Sequence, residues 1–578
     1  MTFYEELSRR KVVSVGLVYL AGAWLSVEVI SVLLPIFDLP LWIARLFIVV
    51  LALAFPIVIA LTWIFDITPD GVRRTDPRSP TGRIFVGAAA TTMIIGIAVA
   101  YVYVAPGELD RHVIAVMPCD DWINDDEYEH LPEGVADDII SRLATLRPIR
   151  VIARTTTWAL RYQNLDAREI GNRVGARFVL TCSVRKLDDT LIINADLIDA
   201  KSNYTVETMS FQRSQVRVID VLNEISVAVA HGMLREVLGE DLAGLSEHGT
   251  HSTDALDSYM RGRFHFNQMT GASHQKAIAY YRQAIDIDPR YAAAHVAIAE
   301  SHIFLTQFLG EPPGIRRNRI MAELDTALDI DDTLAGAWAI LGHARMEFDD
   351  DWVGALSALE LAYERNPWSL EVNNYLRQYY AIVGPASRML PYAENALKID
   401  PLGVFTKAQL IFTYETMRLY DEAIVASDAA IDLDPNHWLF YWPRSWAYLW
   451  QGRHDDALQT IEMTIGLWGS DDNLDLIATR GMILGVMDRD TEAEAVLARL
   501  TAIDAQGHIS PMYFVMVLAA MGRNEESLAM VERAHEEDDW LLKWVNRTPV
   551  VDKLRDEPRY KAVMADIGLS DEGYFDGL

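Results

Sequence analysis

AIDIDPR (Ala284 to Arg290), ALDIDD (Ala327 to Asp332), AYERNP (Ala362 to Pro367), ALKIDP (Ala396 to Pro401) and AIDLDPN (Ala430 to Asn436) are near-copies of one phrase. Seven positions upstream of each stands the residue that opens the same pattern: Ala277, Ile320, Ala355, Met389 and Ala423. Ala457 opens a sixth copy, the steps between successive openings are 43, 35, 34, 34 and 34 residues, and fainter copies continue at Ala495 and Ser527. A period of this length describes a pair of helices that cannot bury its apolar face alone and must stack on its neighbours. Small residues are needed where two helices cross closely, and a proline after the second helix stops it. Residues 254–569 are therefore expected to form an all-α solenoid of about eight helix pairs closed by a C-terminal capping helix. Such an array offers a binding surface and not a catalytic centre.

Upstream the rhythm changes. HVIAVMPC (His112 to Cys119) and RVIART (Arg150 to Thr155) are short β-branched runs with a helical pattern, Gly134 to Leu146, between them. A second helical pattern, Ala167 to Val174, precedes three further strands: Arg177 to Lys186, Leu191 to Ala200 and Tyr204 to Gln212. The order β-α-β-α-β-β-β predicts a small α/β domain, helices over a mixed sheet, within residues 111–239. A long amphipathic helix, Val216 to Leu238, leads to the repeats.

Apolar residues make up 51% of the 578, a high share for a chain of net charge −31. Three apolar runs, 12–37, 43–65 and 84–104, are each long enough to cross a hydrocarbon layer about 30 Å thick. After a cytoplasmic tail of residues 1–11 they are expected to make a three-helix membrane anchor, 12–104. Arg9, Arg10 and Lys11 precede the first run, and Arg73, Arg74, Arg78 and Arg83 separate the second from the third. Basic flanks stay cytoplasmic, which would send the later domains to the periplasm of a bacterium, a multi-pass inner-membrane location with the bilayer as a partner. The acidic balance repels nucleic acid, so no DNA or RNA partner is expected.

Chemistry is sparse. There is no phosphate-binding glycine loop, no GxGxxG, HExxH, GxSxG or CxxC. His265, His274, His295, His302 and His343 are scattered over separate repeat helices, and neither a metal nor a cofactor is expected. Glu28 inside the first apolar run draws attention as an intramembrane acid. Cys119 and Cys182 fit no metal spacing. Each lies in or at the end of an apolar strand, where buried free cysteine is common, although an oxidising compartment would permit a disulfide between them.

NHWLFYWPRSWAYLWQG (Asn436 to Gly452) places four tryptophans on the first helix of one repeat. Trp442, Trp446 and Trp450 fall on one stripe. Matching register puts Phe405, Gln409 and Phe412 on the adjoining surface, with Asn374 and Gln378 one repeat back. These eight residues are the candidate partner-binding site on the groove face of the repeats. Packing between repeats is the rival role for the same aromatics.

The repeats resemble tetratricopeptide helix pairs. IAVMPC, EGVADDIISRLATL, IRVIARTTTWAL, REIG, VGARFVLTCSVRK and INADLIDA together resemble the TolB-like N-terminal (FlgO-like) domain, and Phe3 to Leu7, Leu39 to Trp42, Phe55-Pro56 and Trp63 to Gly71 resemble a membrane leader of bacterial tetratricopeptide proteins. Relatives of this layout carry a nucleotide cyclase or a winged-helix output module, for which about eleven residues before the first apolar run leave no room. The resemblance implies a membrane-anchored, non-enzymatic scaffold or adaptor that binds proteins or peptides. Its alternative is a sensory or regulatory subunit of a membrane signalling system.

Overall fold

The computed structural model describes residues 109–123, 128–144, 149–187, 190–214, 249–309, 313–470 and 472–569, together with 19, 22–24, 26, 51, 54, 55, 65–68, 71–74, 146, 225, 228 and 229. The chain divides into two units, Met1–Glu108 and Leu109–Leu578.

In the first unit, strands β1 (Phe65–Thr68) and β2 (Gly71–Arg74) form an antiparallel hairpin with Asp66 opposite Arg73. Tyr19 Oη donates to the Leu51 carbonyl at 2.6 Å, and its ring meets Phe55 at 5.6 Å. The expected membrane anchor is corrected here. Among the described residues no helix is long and apolar enough to cross a membrane. The runs 12–37, 43–65 and 84–104, with Glu28, lie largely outside those residues, and the described end of the second is strand, not helix. The inner-membrane location and the bilayer contact fall with the three spans. Hydropathy counts apolar residues, whereas a span also needs about 20 of them in one unbroken helix.

The second unit begins with the α/β region. Strands β3 (Asp110–Val116), β4 (Asp120–Asp121), β5 (Arg150–Val151), β6 (Ala176–Leu187), β7 (Thr190–Asp199) and β8 (Tyr204–Ser214) form one sheet of order β5-β3-β6-β7-β8, with β4 also beside β6. The β3 pairings with β5 and β6 are parallel, and the rest of the path is antiparallel. Helices α1 (Leu131–Ala144), α2 (Arg154–Leu160) and α3 (Ala167–Val174) connect the parallel strands. A reciprocal cap between Asp166 and Glu169 starts α3. Alternation along β3 sends Ile114 and Val116 to one core with Val135, Ile139 and Leu143 of α1, and Val113 and Ala115 to another with Ile170 and Val174 of α3. Both faces are covered, which is why His112 to Cys119 reads as an unbroken apolar run. Cys119 and Cys182 are joined by a disulfide, Cα–Cα 4.5 Å. Closing a loop of 63 residues restricts the unfolded chain by about 4 kcal/mol.

Helices follow in pairs: α4 (Thr253–Phe266) and α5 (Gly271–Ile287), α6 (Ala292–Leu309) and α7 (Pro313–Ile330), α8 (Ala335–Phe348) and α9 (Trp352–Arg365), α10 (Leu370–Ile382) and α11 (Met389–Ile399). Then come α12 (Val404–Thr416) and α13 (Tyr420–Leu433), α14 (Tyr441–Trp450) and α15 (His454–Trp468), α16 (Leu474–Val486) and α17 (Asp490–Asp504), and α18 (Met512–Ala520) and α19 (Asn524–Glu536). Two shorter helices, α20 (Trp540–Val545) and α21 (Pro558–Asp566), end the described chain. The 43-residue first step is taken up by α6 and α7, 18 residues each. Ala277, Ala284, Ile320, Ala327, Ala355, Ala362, Ala423 and Ala457 are all buried at the helix crossings. The next copy is set by buried Ala493, not by Ala495, which is exposed. Ala430, also buried, leaves no room for growth, so Ala430→Leu is expected to lower stability by about 1–3 kcal/mol through overpacking. Chemical denaturation of the full chain checks this, and an unchanged midpoint would show that α13 can shift aside.

The C-terminal segment returns to the middle repeats. Lys543 Nζ donates to the carbonyls of Met346 (3.0 Å) and Glu347 (2.9 Å) and pairs with Asp350, while Arg547 Nε donates to the Ile382 carbonyl at 2.7 Å. Two cations thus satisfy last-turn carbonyls of α8 and α10, where the helix dipole is negative. Arg418, just past α12, pairs with Asp552 at 2.8 Å, and Trp352 Nε1 donates to the Ile567 carbonyl at 2.7 Å.

Candidate protein-binding face

Consecutive first helices α8, α10, α12, α14, α16 and α18 touch one another in turn, so their side chains make one continuous face. On it Phe412 of α12 meets Trp442 of α14 at 5.2 Å, and Trp442 meets Trp446 at 6.4 Å and Trp438 at 6.0 Å, with Trp438 edge-on to Trp468 at 5.0 Å. Edge-to-face rings at these separations attract through their quadrupoles. Thr479 of α16 holds the row in place. Its Oγ1 lies 2.9 Å from Trp442 Nε1 and 3.1 Å from Trp446 Nε1, so one buried hydroxyl accepts from both indoles.

The eight sequence-derived residues do not share one environment. Trp446 is 7% exposed and belongs to the core that also contains Leu449, Met482, Met516, Val545, Val551 and Leu554. Trp442 and Trp450 are half-buried against that core, and Trp450 Nε1 has no hydrogen-bond partner among the described residues. Phe405 is 59% exposed, whereas Gln409 and Phe412 are half-buried. Asn374 and Gln378 lie half-buried on α10. Between them stands Arg377, whose burial pulls its guanidinium down to about 10. Arg377 Nε, Asn373 Oδ1 and Asn374 Oδ1 are buried without partners in the described structure, a concentration of unmet polar groups on one turn. Thr479, Trp438 and Trp468 escaped the sequence reading. Trp438 was legible in the same run, but the threonine was not, because a hydroxyl on another repeat carries no periodic signal.

A second constellation fixes the α/β region to the repeats. Asp400, the buried C-cap of α11, accepts from Thr155 Oγ1 (2.6 Å), Thr156 Oγ1 (2.7 Å) and Thr406 Oγ1 (2.7 Å). Thr156 Oγ1 in turn accepts from Leu402 N at 3.0 Å, and Ala153 N donates to the Ile399 carbonyl at 2.8 Å. Helix α2 has no cap of its own, so a carboxylate 245 residues away serves its positive end. A Cβ at Gly403 would lie 1.7 Å from Asp400 Oδ2, and only glycine permits this approach. On the same side the Arg150 guanidinium stacks 5.0 Å over Trp368. At the other contact, His130 Nε2 lies 2.7 Å from Asp257 Oδ1, and Asn267 donates to Asp137 at 3.2 Å. Burial pushes the Asp137 carboxyl up, opposed by the nearby Arg154.

No group of three or more histidine, cysteine or carboxylate side chains able to hold a metal occurs among the described residues. Residues 272–291, most of α5, match a tetratricopeptide repeat model. The helical region is a tetratricopeptide-like solenoid. Among curated proteins, the chain is 27% identical over 220 residues to "Putative adenylate cyclase 3" of Rhizobium meliloti (strain 1021), covering 38% of this chain and 37% of that one. It is 24% identical over 217 residues to "Transcriptional regulator HilA" of Salmonella paratyphi A, covering 36% and 37%. The chain therefore spans little more than a third of the curated relatives it matches. Among solved structures, it is similar to a tetratricopeptide repeat protein from Parabacteroides merdae (14% identity, 46% of this chain and 99% of that one, TM-score 0.35). It is also similar to YrrB, titled "a TPR protein with an unusual peptide-binding site" (17% identity, 34% and 95%, TM-score 0.26).

Proposed function

We propose that this chain is a non-enzymatic protein-interaction scaffold that holds a partner peptide or helix on the first-helix face of its repeats. Tetratricopeptide proteins in general bind protein or peptide partners, and stacked helix pairs suit that task because each repeat adds surface without adding chemistry. The two curated relatives are named for unrelated activities, cyclisation of a nucleotide and regulation of transcription.

The observation that carries the reading is the aromatic row itself. Phe412 and Trp442 are partly open and held edge to face, and the exposed Phe405 lies two turns before Phe412 on the same helix. A large aromatic left open next to a rigid aromatic floor is the usual makeup of a binding hot spot. Buried Trp446 and half-buried Trp450 support this floor, and the amides of Asn374, Gln378 and Gln409 lie on the neighbouring turns to hold a partner's backbone. The returning C-terminal segment adds Val545, Val551 and Leu554 to the same core, and the proposed footprint is the Phe405–Trp442 part of the face.

The test pairs folding with capture. A Phe405→Ala/Phe412→Ala variant is expected to keep the wild-type circular dichroism while losing proteins retained by the wild type in affinity capture with mass spectrometry. Anchors of this type contribute about 2 kcal/mol or more, a loss of affinity of roughly 30-fold. Unchanged capture by a folded variant would remove the face from consideration.

A further inference from the structure

Several open rings of this chain are covered by its own cations. The Arg185 guanidinium lies 4.7 Å from the ring centre of Trp122, itself 59% exposed, Arg154 lies 4.0 Å from Trp158, and Arg150 lies 5.0 Å from Trp368. Helix α14 shows the contrast within its 10 residues. Arg444 stands over Tyr441 at 5.0 Å and Tyr448 at 5.7 Å, and Arg453, past the helix end, reaches Tyr448 at 4.2 Å. Among the described residues no lysine or arginine lies over the ring of Phe412, Trp438, Trp442 or Trp468. Yet Phe412, Trp438 and Trp442 are only half-buried, and Trp468 is 41% exposed. An aromatic face carries negative potential and attracts a cation placed over it. At one end of the row that attraction is reinforced. Trp438 and Trp468 make a corner, 5.0 Å between ring centres and 80° between planes. Asp472, exposed, stands beside it, its Oδ1 accepting from Trp468 Nε1 at 3.1 Å and from the Ser470 hydroxyl. The Ser470 and Trp468 hydrogen bonds, with a weaker pull from Arg499, hold the Asp472 carboxyl below its ordinary range.

We propose that the partner brings the cation these rings lack: the face takes a basic protein segment, with an arginine seated in the Trp438–Trp468 corner beside Asp472 and a neighbouring apolar side chain on Phe412 and Trp442. The inference rests on the first-helix reading above and adds to it the partner's chemistry and one further slot. The row is continuous, since Trp442 lies 5.2 Å from Phe412 and 6.0 Å from Trp438, so neighbouring residues of one peptide can occupy both places. Arginine suits the corner better than lysine. Its planar guanidinium stacks on an indole face while its N–H groups at the edge reach a carboxylate. An acidic segment meets the opposite conditions, because the ring faces repel it and so does a chain of net charge −31.

The experiment screens the full chain against an array of capped random dodecamer peptides. Bound peptides are expected to hold arginine at about twice its share in the array or more, and to be depleted in aspartate and glutamate. Remade with citrulline, which keeps the shape of arginine and loses its charge, the strongest binder should weaken about tenfold. Raising sodium chloride from about 0.1 M to about 1 M shortens the Debye length from about 10 Å to about 3 Å and should also weaken it, an arm that needs no variant. Asp472→Asn and Trp468→Leu replace exposed side chains, so each should keep the wild-type circular dichroism and lose most of the arginine preference. Bound peptides with no basic enrichment, a citrulline copy that binds as well, salt-independent binding, or an arginine preference that survives both folded variants would each overturn the inference while leaving the first-helix face as a binding site. If the folded Phe405→Ala/Phe412→Ala variant holds the arginine peptides at full strength, the first-helix reading fails instead. An array that captures nothing overturns both.

Discussion

Asp400→Ala is expected to lower stability by about 3–5 kcal/mol and to loosen the α/β region from the repeats without unfolding either. Three hydroxyls converge on this one carboxylate, which is 2% exposed. Hydrogen bonds to a buried charge contribute about 1.5–3 kcal/mol each, and donors left behind without an acceptor add their own desolvation cost. The loss is not the full sum, because Thr155 is exposed and can turn to water. Limited proteolysis distinguishes this outcome from general destabilisation. Cleavage should appear first near Ala153 and Leu402, where the two elements meet, while repeat helices far from the clasp keep their hydrogen-exchange protection. Asp400→Asn keeps an acceptor and loses the charge, so it should fall between alanine and the wild type. If Asp400→Ala melts with the wild type, the threonines are held by something other than the carboxylate.

The repeat register was legible because it rests on residue size. Where two helices cross at close range a small side chain fits best, and alanine or serine recurs at most of the fixed steps, with Ile320 and Met389 as the departures. It misled by two residues at Ala495 because the run Ala493-Glu494-Ala495 offers two alanines, and only burial distinguishes them. Arg150 to Thr155 was read as a strand because its residues are β-branched and apolar. The structure keeps two residues of it in β5 and turns Arg154–Leu160 into a helix. Local propensity favours extension for Thr155, Thr156 and Thr157, but a carboxylate delivered by the tertiary fold makes a helix start there more favourable. The apolar runs before residue 105 read as spans from their length, their basic flanks and their resemblance to a membrane leader, none of which decides whether a helix continues for about 20 residues.

The candidate site was legible in outline and not in detail. Four tryptophans in thirteen residues announce a special surface, yet Trp442 and Trp446 lie one turn apart with opposite fates, one partly open and one buried. Trp446 lies inside the core that also takes in Val545, Val551 and Leu554 of the returning C-terminal segment, whereas Trp442 packs against that core from its edge. Contacts between residues a hundred positions apart leave no period in the sequence. The same holds for Lys543 and Arg547, which look like surface cations on a short helix and are buried at the ends of α8 and α10.

Glu415→Gln is expected to stabilise the protein, by an amount that grows with pH. Glu415 sits in the last turn of α12, 4% exposed, and its Oε1 has no hydrogen-bond partner in the described structure. Burial pushes its carboxyl up to about 8, against the pull of the nearby Arg418 guanidinium. The helix C-terminus adds to the effect, since a negative charge there opposes the dipole. In the unfolded chain the same group titrates near 4.3. Below that value both states hold the proton, and the group adds no pH dependence. Between about 4.5 and 8 the unfolded chain has released the proton while the fold still holds it, so the stability this group confers at low pH drains away as pH rises. Above about 8 the fold releases it too, and the loss levels off at roughly 3–5 kcal/mol. Glutamine keeps the shape and carries no titrating proton. The variant should therefore match the wild type within about 1 kcal/mol at pH 4.5 and exceed it by roughly 3 kcal/mol or more at pH 8. Denaturation midpoints measured at half-unit steps across this window give the result directly. A constant difference, or a variant weaker than the wild type at pH 8, would mean that Glu415 is ionised in the fold and held by Arg418, and that Arg418 cannot then be assigned to Asp552 alone.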